Sequence, residues 1–222
     1  MTDRLSGTQW ISEIDGVTVT VGFDDGAVFG TSGCNAYRSR YTADDERLVV
    51  PGPVMGTRMM CDPERMDVER RFLAALGAVR SATTTTATLT LCDASGAALL
   101  TLRRPSIADL VGTWWITSVH IPDRQAVVGT DDGLEVEIAL DTISGDTGCN
   151  RFHGPYSVDG ASMAIGPLAT TRRAGSSVAM EQERAILVAL GSVTAWRLGS
   201  DRVDLLRADG GIELVLTRRP TT

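Results

Sequence analysis

Lysine is absent from this chain of 222 residues, and all 21 basic residues are arginine. A GC-rich coding sequence explains that bias more simply than function does. The absence removes Schiff-base chemistry and the phosphate-loop lysine. Histidine is scarce: only His120 and His153 occur. Cys34, Cys61, Cys92 and Cys149 stand far apart with no Cys-x-x-Cys, so they fit neither a zinc pattern nor a dense disulfide scaffold. No metal and no cofactor is expected. No apolar run reaches the roughly 18 residues that span a membrane. Residues 1–8 lack the apolar core of a signal peptide. The chain as given is thus expected to be cytoplasmic, or envelope-associated or secreted if a leader was removed. The net charge of -7 argues against a nucleic-acid partner, which needs clustered positive charge.

What is present is a repeat. Gly33-Cys34-Asn35 recurs as Gly148-Cys149-Asn150. Each copy is followed by an aromatic segment (Tyr37 to Tyr41, Phe152 to Tyr156) and an apolar run closing in Gly and Pro. Then come a Thr-Arg pair (Thr57-Arg58, Thr171-Arg172) and a helical pattern containing Glu69 or Glu183. Two units result, 1–104 and 105–222, each near the lower size limit for burying its own core. At the front, Trp115 is matched to Trp10, which puts about ten extra residues around His120 to Asp132, in a hairpin loop. At the back, Arg218-Arg219-Pro220 is matched to Arg103-Arg104-Pro105.

Val17 to Val21 alternates Val and Thr, a strand signal. Asp24-Asp25-Gly26 predicts a turn into Ala27 to Gly30. Gly33 and Asn35 tolerate left-handed backbone, which predicts a sharp corner. Asp62-Pro63-Glu64 predicts a helix start, with Met66, Phe72, Leu73, Leu76 and Val79 on its apolar side. The second helix is expected near Ser177 to Leu190, capped by Ser176 and closed by Gly191. Thr83 to Leu91 reads as one strand, and Ala97 to Leu102 as its partner across Asp93-Ala94-Ser95-Gly96. Trp115 is expected in the core and Trp114 partly at the surface. The fold class is α+β, mainly β: each unit a twisted antiparallel sheet or small open barrel with one helix packed on it. The last strand of each unit offers a possible edge to a partner chain.

Gly-Cys-Asn, a downstream Tyr, Gly-Pro, Thr57-Arg58-Met59-Met60-Cys61, a Glu-bearing helix and a closing hairpin resemble the META domain family, which includes the HslJ heat-shock proteins. The second unit departs from the pattern at Gly175, which replaces the second cysteine. The resemblance implies a mostly β domain with one helix, a link to stress response, frequent location at the cell envelope and no established reaction. It also favours a disulfide between Cys34 and Cys61; the alternative is two buried thiols in a reducing compartment. Cys92 and Cys149 read as buried small residues.

The polar motif residues have structural readings beside functional ones. Arg58 and Arg172 either grip an anion before a helix or pair with Glu69 and Glu183, and the pairing is favoured. Asn35 and Asn150 are expected to bond backbone at a turn. Cys34 has no histidine in its unit to act as a base. His153 reads as a loop or surface residue, and the Asp24-Asp25 and Asp131-Asp132-Gly133 runs read as turns rather than calcium loops. The chain is therefore expected to be a non-enzymatic binding or scaffolding protein for an unknown protein or small-molecule partner. The rival reading is a small-anion binder or hydrolase in a cleft between the units, lined by Arg58, Arg172 and His153.

Overall fold

Two-residue turns set the first hairpins. Strand β1 (Thr8–Ile14) pairs with β2 (Val17–Asp24), and β2 with β3 (Ala27–Thr31), each antiparallel. Asp15-Gly16 and Asp25-Gly26 hold positive φ at both turn positions, the twist that a tight hairpin requires. Asp24-Asp25-Gly26 is therefore a turn, as read; the Asp15-Gly16 turn was not read at all. The computed structural model describes residues 3–121 and 126–218, without the side chains of 126–133. The chain divides into two units, Met1–Pro105 and Ser106–Thr222.

The first unit continues through β4 (Ala36–Arg40), β5 (Thr42–Asp44), β6 (Arg47–Val49), β7 (Met55–Gly56), helix α1 (Pro63–Ala78), β8 (Ser81–Thr84), β9 (Thr88–Cys92) and β10 (Ala98–Arg103). The hydrogen-bonded order is β5-β6-β8-β9-β10-β1-β2-β3-β4-β7. Only Tyr41 separates β4 from β5, so the two run on as one bent strand and the sheet curls into a closed barrel. Strands β6 and β8 are joined at the register pair Arg47↔Ser81.

Helix α1 is capped by Asp62, whose side chain accepts from the Arg65 amide, with Pro63 at the first helical position. It buries Val68, Phe72 and Leu76 against Trp10, Val19, Val21, Leu48, Leu89 and Leu91. Phe72 and Leu76 thus occupy the expected core side; Met66 does not, being 37% exposed.

The second unit repeats the plan: β11 (Gly112–Ile121), β12 (Ala126–Ile138), β13 (Thr142–Asp146), β14 (Arg151–Asp159), β15 (Ser162–Ile165), β16 (Ala169–Thr170), α2 (Ser177–Gly191), β17 (Ala195–Leu198), β18 (Arg202–Leu206) and β19 (Ile212–Thr217). The order β13-β12-β11-β19-β18-β17-β15-β14-β16, with β13 also paired to β14, closes the ring. Ser176 caps α2 by accepting from the Ala179 amide.

Four readings are corrected. Thr83 to Leu91 is a hairpin rather than a strand: Thr85 Oγ1 accepts from the Ala87 and Thr88 amides and folds β8 onto β9. The extra residues of the second unit lengthen the β11–β12 hairpin, where Val119 pairs with Val128 and His120 with Val127, so residues 131–133 lie in a strand rather than a turn. Positions 122–125 lie outside the described residues. Trp114, not Trp115, is the core tryptophan. The last strands are not edges: β10 lies between β9 and β1, and β19 between β18 and β11.

Candidate functional site

Ser32 and Thr147 directly precede the two Gly-Cys-Asn corners, and both are buried hydroxyls. At each corner the glycine carries the left-handed backbone, Gly33 at φ 105° and Gly148 at φ 85°. A side chain at Gly33 would also press within 2.9 Å of Val17. The asparagine does not share that conformation. It turns inward instead, Asn35 being 4% and Asn150 3% exposed.

A buried amide must find partners for its oxygen and both its protons. Asn35 Oδ1 accepts from Thr57 Oγ1 at 2.8 Å and from the Met59 amide at 2.7 Å. Its Nδ2 donates to the Met59 carbonyl at 3.2 Å and to Glu69 Oε1 at 3.2 Å. Glu69 Oε2, on the α1 face, accepts from the Asn35 amide at 2.9 Å and from Ser32 Oγ at 2.8 Å. One cluster thus ties the corner, the Thr-Arg segment and the helix together.

The second unit reproduces it. Asn150 Oδ1 accepts from Thr171 Oγ1 at 2.8 Å and from the Arg173 amide at 2.7 Å, and Nδ2 donates to the Arg173 carbonyl at 3.2 Å. Glu183 Oε2 accepts from Asn150 Nδ2 at 2.9 Å and from Thr147 Oγ1 at 3.0 Å. The asparagines therefore bond backbone over 23 or more residues, not locally at a turn. Among the described residues, no fully buried side-chain nitrogen or oxygen lacks a partner.

The arginines stay out of these clusters. Arg58 and Arg172 are exposed, and neither makes an ion pair among the described residues. The favoured Arg–Glu pairs are corrected: hydroxyl and amide donors occupy Glu69 and Glu183. The threonine of each Thr-Arg pair does the bonding. Sequence reading missed Ser32 and Thr147; a hydroxyl before Gly-Cys-Asn in both copies was the available signal.

Cys34 and Cys61 are joined as a disulfide with Cα atoms 5.9 Å apart. Cys149 is a half-buried thiol beside the Arg173 carbonyl and Met180 Sδ, each at 3.5 Å, and Cys92 is a second half-buried thiol. A side-chain carbon placed on Gly175 would sit 2.5 Å from Cys149 Sγ. His153 is exposed on β14, between Ser144 of β13 and Ala169 of β16.

The duplicated corner, threonine and glutamate define a kinship. A family model described as META domain matches residues 3–106 and again residues 108–220. The chain belongs to the META domain family. Each META unit carries one copy of the inward-facing cluster. No curated protein matches this chain. An NMR structure of a protein from Burkholderia xenovorans is similar at 22% identity, covering 49% of this chain and 82% of that one with a TM-score of 0.41.

Both motif carboxylates are engaged by donors, Cys34 is bonded to Cys61, and Cys149 Sγ lies against the Arg173 carbonyl and Met180 Sδ. Among the described residues no group of three His, Cys, Asp or Glu side chains is placed to hold a metal. No described helix is long and apolar enough to cross a membrane.

Proposed function

We propose that this tandem META-domain protein is a non-catalytic binding or scaffolding module. The observation that carries the reading is the inward orientation of its signature residues. Asn35, Thr57 and Glu69, like Asn150, Thr171 and Glu183, spend their bonding capacity on holding the corner to the helix. Kinship with the META domain family supports a stress-linked or envelope-associated setting. The test is a thermal-shift screen against metabolites, anions and cations together with a hydrolase substrate panel. A several-degree rise with one ligand class and no turnover is expected; turnover abolished by a single substitution would refute the reading.

A second reading, a small-anion binder or hydrolase using Arg58 and Arg172, has one observation in its favour. Both guanidiniums are exposed and free of ion pairs among the described residues. Phosphate-induced stabilisation lost in Arg58→Ala/Arg172→Ala supports it, and unchanged stabilisation eliminates it.

A further inference from the structure

One corner carries a bridge and the other does not. In the first unit Cys34 is joined to Cys61 over a sequence separation of 27. In the second, Gly175 stands in place of that partner, and Cys149 keeps a free thiol. Cys34 Sγ lies 3.5 Å from the Met59 carbonyl, and Cys149 Sγ lies 3.5 Å from the equivalent Arg173 carbonyl. The sulfur thus has the same seat whether bonded or free. The asparagine bonds match as well. Each amide makes contacts of 2.8 Å with the threonine hydroxyl, 2.7 Å with a backbone N–H and 3.2 Å with a backbone carbonyl. The corner is therefore complete without the bridge.

What the bridge adds is a second tie on the segment that carries Arg58. Residues 57–60 are exposed. Asn35 holds this segment at Thr57 and Met59. The bridge holds it again at Cys61, directly before the Asp62 cap of α1. Cys34 and Cys61 are both half-buried, so the bridge lies at the surface rather than in the core, where access lets thiol exchange proceed.

We propose that Cys34–Cys61 is a reversible redox switch, opened by a dithiol reductant, that frees residues 57–61 while the corner stays folded. A reductant thiolate attacks one bridge sulfur, the S–S bond of the protein breaks, and the other cysteine leaves as a thiolate that takes up a proton. The second thiolate of the reductant attacks the mixed disulfide and releases the first cysteine. Two electrons pass to the bridge, and the dithiol becomes a disulfide. The second unit has no bridge to open, so its Thr171-Arg172 segment stands permanently in the untied state. The switch goes beyond the binding-module reading and does not depend on it.

The test begins with the native full chain in dithiothreitol, quenched by alkylation and weighed by mass spectrometry. Alkylated thiols are expected to rise from two, Cys92 and Cys149, to four with circular dichroism unchanged, and oxidised dithiothreitol should return the count to two. Limited digestion with an arginine-specific protease reads the segment, and Cys34→Ser/Cys61→Ser supplies the open state without reductant. Cleavage after Arg58 is expected to be about tenfold faster in this variant than in the bridged parent, with cleavage after Arg172 equal in both. Four alkylated thiols only where circular dichroism is lost, a variant that does not fold, or equal cleavage after Arg58 in the two proteins overturns the proposal.

Discussion

The guanidinium of Arg104 lies over the indole of Trp10, 4.5 Å from the ring centroid. Arg218 repeats the contact on Trp114 at 4.4 Å. Both indoles are 1% exposed, and each directs its N–H to a nearby oxygen, Thr8 Oγ1 or the Leu110 carbonyl. Arg104→Ala removes a cation–π contact and the lid over a core tryptophan. The expected loss is about 1–2 kcal/mol, with Arg104→Lys recovering part of it. Denaturant unfolding followed by tryptophan emission measures both; an alanine variant as stable as the parent contradicts this role.

Those contacts also explain a slip in the reading of the repeat. Trp10 pairs with Val21 in β2, and Trp114 pairs with Val136 in β12. Trp10 therefore corresponds to Trp114, not Trp115, and Arg104 to Arg218. The adjacent Trp-Trp and Arg-Arg pairs each allow a one-residue shift that sequence identity cannot resolve. In a strand such a shift flips every side chain to the other face, which is why core and surface were exchanged at Trp114 and Trp115. The helices were legible because Asp62-Pro63 and Ser176 are local capping signals. Barrel closure was not, since it rests on single register pairs between β6 and β8 and between β15 and β17. At the corners the repeat marked Asn35 and Glu69 but not their bond, which joins residues 34 positions apart.

Asn35→Ala strips partners from Glu69, Thr57 and the Met59 backbone at once. Buried groups left unsatisfied cost more than the bond itself contributed, so a loss of roughly 2–4 kcal/mol is expected. Glu69→Gln also destabilises, because its amide protons would face the donors that Oε1 and Oε2 now accept. The double variant is expected to lose much less than the sum, as members of one network are coupled. Strict additivity in a double-mutant cycle contradicts the shared cluster.

Gly175→Cys is expected to restore the missing bridge of the second unit. A carbon on Gly175 would lie 3.4 Å from Cys149 Cβ, just under the usual disulfide spacing, and Cys149 Sγ, 2.5 Å from that carbon, must rotate to make room. Closing a loop of this length adds about 3.5 kcal/mol in the chain-entropy account. Non-reducing mass analysis after alkylation should show one free thiol, Cys92, instead of two. The gain should vanish with reductant. Three alkylated thiols in the oxidised variant would rule the geometry out.

The three tyrosines should make the fold sensitive to alkali. Tyr37 donates to the Thr20 carbonyl at 2.9 Å in the core, and burial holds its hydroxyl well above the usual range. Burial, then the neighbouring Asp3, raises Tyr41; burial, then Asp141, raises Tyr156. Each folded value exceeds the unfolded one of about 10. Their contribution is therefore complete below pH ~10, where both states keep the proton. Above it the unfolded chain binds fewer protons, so stability falls, by about 1.4 kcal/mol per pH unit for the fully buried Tyr37 alone. No lysine titrates in the same window to obscure the effect. Tyrosinate absorbance should stay flat through pH ~10 and rise only as circular dichroism is lost. Tyr37→Phe should reduce the alkaline slope, and a reversible absorbance rise in the intact fold would count against the buried phenol.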